Sequence, residues 1–391
     1  MTLLSSRRGA ARPRLVTPTF VLVGLASLAY FTADGVLIPT VPLYVEGPLG
    51  GGDVAVGFSV GAFSVTALLL RPWAGRLGDR RGRRLLMVFG GALVALSVAG
   101  YLLARSVPLL VALRLVTGVG EAFFFTGAAS AINDLAPDER RGEAVSFFSL
   151  ALYVGIGIGP LMGEAAIRAL GFDATWLIAA GAALLATAVA VGLKETRPQR
   201  DDEEPSSGRL IHPSALLPGT VLLTSVLGQA GFFAFLPLYT LQVGLAGSRF
   251  VFLMYSAIVV AIRLFGARIP DVLGPERTAR TSLLFSAVGL ALAGMWGSPA
   301  GVVVGTAIFA VGSSLAFPAL MVLAVRGTSP HERGAVLGTF TAFVDLAFGA
   351  GPVTLGFVAE AAGYGATFVT AAGIILAGFF LLFVRTRSAA R

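Results

Sequence analysis

Gly75-Arg76-Leu77-Gly78-Asp79-Arg80-Arg81-Gly82-Arg83-Arg84 packs five arginines and one acid into ten residues. On either side lie apolar runs near 54–71 and 85–104, each about long enough to cross a bilayer. A cationic hinge between two such runs reads as a loop on a membrane surface. The rest of the chain supports that reading. Its 391 residues are 56% hydrophobic and 13% charged, with mean hydropathy +0.84. Soluble domains run about 45–50% apolar and about 25% charged. The composition therefore excludes a soluble enzyme, a disordered tail and a disulfide-rich module; with no cysteine, thiolate metal sites and Cys nucleophiles are also excluded.

Twelve apolar segments follow from the same count: 18–44, 54–71, 85–104, 107–131, 142–166, 175–193, 214–243, 249–267, 279–297, 300–325, 333–360 and 365–384. The longest polar interval contains Asp201, Asp202, Glu203, Glu204 and Pro205. It predicts a cytoplasmic linker at 197–213 between a six-helix bundle at 1–196 and another at 214–391. The run after Arg7-Arg8 carries Asp34, Pro39 and Pro42 and is too long for a leader, so it is expected to remain as the first span. With the N-terminus inside, 25 of the 29 basic residues fall on the inner side, and three (Arg105, Arg168, Arg249) fall outside. Because cytoplasmic loops retain Lys and Arg, both termini are expected in the cytoplasm. The net charge of +8 is then a topology signal, and no nucleic-acid partner is expected.

The chain also repeats itself. Asp34…Pro39…Pro42…Tyr44 aligns with Gln229…Ala234…Pro237…Tyr239, and Arg71…Arg76…Asp79…Gly82 aligns with Arg263…Arg268…Asp271…Gly274. Pro137-Asp138-Glu139-Arg140 pairs with Pro330-His331-Glu332-Arg333, and Gly159-Pro160 with Gly351-Pro352. All four offsets lie between 192 and 195. Duplicated parallel units of this kind bind solute near the midplane between the halves and work by alternating access.

On these residues the sequence resembles the major facilitator superfamily over essentially its whole length. Gly75–Arg84 is similar to the loop signature G-x-L-[AG]-D-R-x-G-R-[RK], and Arg114-Leu115-Val116-Thr117-Gly118-Val119-Gly120 to R-x-x-x-G-x-G. Gly155…Gly159-Pro160…Gly163 resembles G-x-x-x-G-P-x-x-G, which that family associates with antiporters. Glu164 departs from the usual second glycine. Asp34 with Pro39, Pro42 and Tyr44 resembles the first-helix element of twelve-helix drug:proton antiporters. The resemblance implies an all-α integral membrane protein of twelve helices in two pseudo-symmetric bundles. It also implies a monomer in the cell inner membrane, without cofactor, moving a small-molecule substrate.

The inner-gate candidates are Gly75, Asp79, Arg80, Gly82 and Arg83. In the family Asp79 pairs with nearby arginines and a helix N-terminus, whereas Arg81, Arg83 and Arg84 read as topology anchors. Gly75 and Gly82 suit close backbone approach and positive φ. Asp271 marks a degenerate, weaker second latch. Gly155, Gly159, Pro160 and Gly163 are either ordinary helix packing or a tight contact of the fifth helix with the other half, partnered by Gly349, Gly351 and Pro352.

Four ionisable residues, Asp34, Arg114, Glu121 and Asp345, sit well within spans, each at a cost of about 2.5–3.5 kcal/mol at mid-helix. Asp34 lies about 25 Å up the first span, Arg114 about 10 Å down the fourth, and Glu121 about 10 Å deeper on the same face. Asp345 lies about 18 Å up the eleventh span. Asp34 and Glu121 are the leading proton-carrying carboxylates, with Arg114 tuning them; the alternative is a static pair of one of them with Arg114. Asp345, Gln229 and Tyr153 are substrate-cavity candidates, the last two occupying the positions equivalent to Asp34 and Asp345. Phe123, Phe124, Phe125, Phe147, Phe148, Phe232 and Phe233 are expected mostly to pack or face lipid.

Three other patterns carry no chemistry. Gly57-Phe58-Ser59-Val60-Gly61 matches a nucleophile elbow but lies in a span without a histidine. Lys194 is the only lysine and belongs to no phosphate loop, and His212 and His331 make no zinc site. The expected function is secondary active transport: proton-coupled efflux of a small, amphipathic molecule in exchange for protons. The alternatives are a proton symporter importing a sugar, amino acid or similar metabolite, or a non-transporting sensor on the same fold.

Overall fold

The computed structural model describes residues 15–137, 140–197, 211–266, 269–329 and 332–388. Its helices are α1 (Pro18–Glu46), α2 (Asp53–Arg81), α3 (Arg83–Ala99), α4 (Val107–Leu135), α5 (Arg141–Val191) and α6 (Leu216–Gln242). They continue with α7 (Arg249–Phe265), α8 (Ile269–Leu273), α9 (Pro275–Trp296), α10 (Pro299–Val325) and α11 (Arg333–Ser388). Among the described residues nine helices are long and apolar enough to cross a membrane. Two of these are double length: α5 turns back at Gly171 (φ 83°) and α11 at Gly363 (φ 80°). With α7, this accounts for all twelve apolar segments. The loops expected near 167–174 and 361–364 are absent, because one glycine in the left-handed region turns the chain without a linker. The linker residues 198–210 lie outside the described residues, as do Asp138, Glu139, Pro330 and His331.

Leu15 and Ser388 mark one face of the bundle, here the terminal face; the α1–α2 and α6–α7 loops mark the distal face. Within each half the repeat is visible in detail. The Tyr44 hydroxyl donates to the carbonyl of Ala104 at 2.9 Å, and the Tyr239 hydroxyl donates to that of Ala293 at 2.9 Å. Gly82 (φ 102°) and Gly274 (φ 81°) turn the chain at equivalent places. Polar side chains inside the helices return their hydrogens to the preceding turn, as Thr40 does to Val36 and Ser27 to Val23. That leaves α1 with no unpaired hydroxyl from Ser27, Thr32 or Thr40 in an apolar setting.

The antiporter-type glycines bind α5 to α1. A Cβ at Gly159 would fall 2.4 Å from the backbone of Gly35; one at Gly155 would meet Phe31, and one at Gly163 would meet Val36. These three glycines therefore pack within the first half and do not seal α5 against the other half. Gly157 of that segment does meet the other half, set against Ser256 and Leu253 of α7. The second half alternates in the same way: Gly351 abuts Leu227 and Ala230 of α6, while Gly349 faces α2 beside Ser64. Small residues on two faces of one helix allow close approach on both sides.

Candidate functional site

The seam between the halves is formed by α2 against α11 and by α5 against α7. On the distal face each pairing is closed by a carboxylate at a helix N-terminus. Glu164, buried on α5, accepts from the Ser248 N–H (2.7 Å) and the Ser248 hydroxyl (2.5 Å) at the start of α7. Glu360 on α11 accepts from the Val54 N–H at the start of α2 (3.2 Å), and the Tyr364 hydroxyl beside it donates to Asp53 (2.8 Å). Unpaired N–H groups and the helix dipole favour an anion at both places. Glu164, which departs from the family motif, is thus the residue that ties the halves on one side. Closer to the middle, Gly57 lies against Pro352 and Gly61 against Gly349.

At membrane depth the seam holds a charged group. Arg71 of α2 reaches across to Asp345 of α11, with Nη2 to Oδ1 at 2.9 Å, and lies 3.9 Å from Glu121 of α4. Its guanidinium stacks over Phe125 at 4.4 Å. The second Asp345 oxygen is buried without a hydrogen-bond partner. Sequence reasoning placed Arg71 with the surface arginines. A long side chain pointing along the helix carries its charge several ångströms from its Cα, and depth counted from Cα positions missed that.

Arg114 makes neither of the static ion pairs weighed from the sequence. Its Nε and Nη2 donate to the carbonyls of Ser59 and Val60 on α2, both at 3.0 Å, and it stacks over Phe63 at 4.7 Å. No ion pair joins it to Asp34 or Glu121 among the described residues; it acts on both through space. The guanidinium paired with Glu121 is that of Arg71. Asp34 is a through-space neighbour of Glu121, and the buried Tyr30, stacked on Phe124 at 4.0 Å, lies beside both carboxylates.

The positions equivalent to Asp34 and Glu121 in the second half, Gln229 and Ser313, carry no charge. The Gln229 Nε2 donates to the Tyr255 hydroxyl (2.6 Å), which pairs with that of Ser313 (3.0 Å). Tyr153 on α5 receives Arg263 of α7 across the seam, at 4.7 Å over its ring and 3.5 Å to its hydroxyl. Of the phenylalanines singled out, Phe124, Phe232 and Phe233 are buried and Phe147 is exposed, whereas Phe125 and Phe148 pack beside Phe31.

On the terminal face Arg83 is no mere anchor. Nearly buried, it pairs with Asp79 (2.7 Å) and with Asp134 at the end of α4 (2.9 Å), joining α2, α3 and α4 within one half. Asp79 thus has its arginine, but the N-terminus of α3 is taken by Glu195, whose carboxylate accepts from the N–H groups of Arg83 (2.8 Å) and Arg84 (3.3 Å). Burial disfavours the charged Glu195, yet these N–H donors, with those of Thr196 and Arg197, bring its pKa below the ordinary value. Arg197 donates to the carbonyls of Arg80 (2.5 Å) and Asp79 (3.3 Å). Gly82 has the expected positive φ, while Gly75 faces open space and allows no close approach. The side chains of Arg268 and Asp271 lie outside the described residues.

Comparison with known proteins agrees with this architecture. A family model described as Major Facilitator Superfamily matches residues 23–278 and 244–391. An MFS-type transporter of Salmonella typhimurium, STM4428, is 31% identical over 373 residues, covering 92% of this chain and 94% of that protein. YhhS of Escherichia coli, another MFS-type transporter, is 27% identical over 369 residues, covering 92% and 91%. Among solved structures, a bacterial homologue of the human lysosomal transporter Spinster, inward-facing and unoccupied, superposes with TM-score 0.80 at 15% identity. It covers 97% of this chain and 98% of that one. Duplicated helical halves, a loop signature in place and relatives matched end to end converge: the chain is a multi-pass membrane transporter and belongs to the Major Facilitator Superfamily.

Proposed function

We propose that the protein is a proton-coupled exporter of the bacterial inner membrane, acting as a monomer and exchanging protons for a small amphipathic molecule. Residues 1–196 and 214–391 rock as two bodies joined by the linker 197–213, and the terminal face, with its arginines, is cytoplasmic. One observation carries the reading: a single arginine, Arg71, is shared by carboxylates of opposite halves.

Arg71 neutralises Asp345 only while α2 and α11 are together. Separating them on the distal side removes that partner, and Asp345, left in an apolar setting, takes up a proton. Arg71 then has Glu121, 3.9 Å away in the closed state, as its remaining partner, with Asp34 next in electrostatic reach. Closing returns Arg71 to Asp345, which gives that proton up on the terminal side. Proton movement is thus tied to the seam, as exchange requires. Glu164 and Glu360 hold the distal side shut in the state observed.

The test is flux in proteoliposomes under an imposed pH gradient, using a compound that stabilises the purified protein. Wild type should move it against the proton gradient. Asp34→Asn, Glu121→Gln and Asp345→Asn should lose gradient-driven movement, with counterflow of the compound persisting in at least one of them. Gradient-driven movement unchanged in all three rejects the proposal; compound moving together with protons makes the protein a symporter.

A further inference from the structure

The seam is crossed at membrane depth by two arginines at equivalent positions, and only one of them is neutralised. Arg71 meets a carboxylate, Asp345, at 2.9 Å. Arg263 meets Tyr153, the residue equivalent to Asp345, through its ring face and a hydrogen bond at the 3.5 Å limit. No carboxylate lies within ion-pair distance of Arg263 among the described residues, and its Nε is buried without a partner. Cation–π contact offsets only part of the cost of a guanidinium in a low-dielectric setting. We infer that Arg263 is the receptor for a negatively charged group of the transported molecule, a carboxylate or sulfonate carried on an apolar or aromatic body. This rests on the transport reading above and assigns the class of substrate.

The surroundings suit that ligand. The Tyr255 hydroxyl lies within electrostatic reach of Arg263 and Tyr153, and Gln229 and Ser313 hold it in place. These groups bring neutral donors and no competing anion. Phe232 and Phe233 pack on Tyr255 with centroids at 5.6 and 5.7 Å, giving an aromatic wall next to the polar cluster. A planar guanidinium matches the two oxygens of a carboxylate or sulfonate better than an ammonium would. The sign is set by the protein: a cationic ligand would place two like charges together with nothing between them.

The test uses the full chain, purified in detergent, and four naphthalene probes of one shape: 2-naphthoate, 2-naphthalenesulfonate, 2-naphthamide and 2-naphthylmethylammonium. Calorimetric titration should show the two anions binding at least tenfold more tightly than the amide, and the ammonium more weakly still. Arg263→Gln should remove the anion preference. Tyr153→Asp, which supplies the missing carboxylate, should remove it too while leaving the positive charge of Arg263 in place. Anions binding no more tightly than the amide or the ammonium, including no binding at all, overturns the inference. So does wild-type anion affinity in Arg263→Gln or, if that variant fails to fold, in Tyr153→Asp. Anion binding without pH-gradient-driven flux of naphthoate rejects proton exchange and leaves this assignment standing. Gradient-driven flux of the ammonium alone does the reverse.

Discussion

Asp34, Arg114 and Glu121 in the first half stand where the second half has Gln229, Thr306 and Ser313. The backbones repeat down to the tyrosine that ties α1 or α6 to its neighbour. The interiors do not. The first half keeps two carboxylates and an arginine in apolar surroundings, and Arg71 joins one of the carboxylates to Asp345 of the other half. At the positions equivalent to Asp34 and Glu121 the second half has the neutral Gln229 and Ser313, both hydrogen-bonded to Tyr255; its charges at membrane depth are Asp345 and Arg263 on the seam. Buried charge is costly, and on the proposed function the carboxylates of the first half handle protons while Arg263 of the second faces the substrate.

The sharpest way to break that comparison is to exchange the chemistry. Glu121→Ser, which installs the residue of the second half, should abolish pH-gradient-driven flux while the protein still melts cooperatively; flux retained there erases the division between halves. Next in size is the distal pair of carboxylates. Glu164→Ala leaves a buried helix N-terminus without its anion, a loss of about 1.5–3 kcal/mol for hydrogen bonds to a charged group. Spin labels on the α1–α2 and α6–α7 loops, introduced into a chain that has no cysteine, should show the distal face opening in a larger share of molecules. Glu360→Ala acts at an exposed helix end and should cost about 0.3–1 kcal/mol, with a smaller shift in the same distances. Equal shifts would mean that burial does not distinguish the two latches.

The smallest effect concerns the loop signature itself. Glu195→Gln should lower the melting temperature of the purified protein by loosening the start of α3, a cap worth about 0.5–2 kcal/mol. Because the folded pKa of Glu195 is depressed, its contribution is complete above the unfolded value of about 4.3 and fades as pH falls through the folded one. The variant and wild type should therefore differ at pH 7 and converge in acid. A difference that persists in acid would assign the effect to packing.

Much of this was legible before any coordinates. Apolar runs of about twenty residues dictate spanning helices, because backbone groups in hydrocarbon must pair within their own segment. The offsets of 192 to 195 read directly as duplication, and the positive φ expected at Gly82 is found there and at its counterpart Gly274; the turns at Gly171 and Gly363 fall in intervals read as loops. The identity of the membrane acids was equally plain, since a charge in an apolar run is conspicuous.

What tertiary structure alone decided is who meets whom. Glu164 finds Ser248 84 residues away, and Glu195 finds Arg83 across 112. Neither partner is marked by spacing along the chain. Arg71 looked like a surface residue because sequence gives the depth of a Cα and not the reach of a guanidinium. Arg114 was related to the acids by its depth and helix face, yet it is held by two helix carbonyls. Hydropathy and periodicity act locally and are written in the order of residues. The pairing of long polar side chains depends on which helices pack together and how they are rotated, and that is settled only when the halves close on each other.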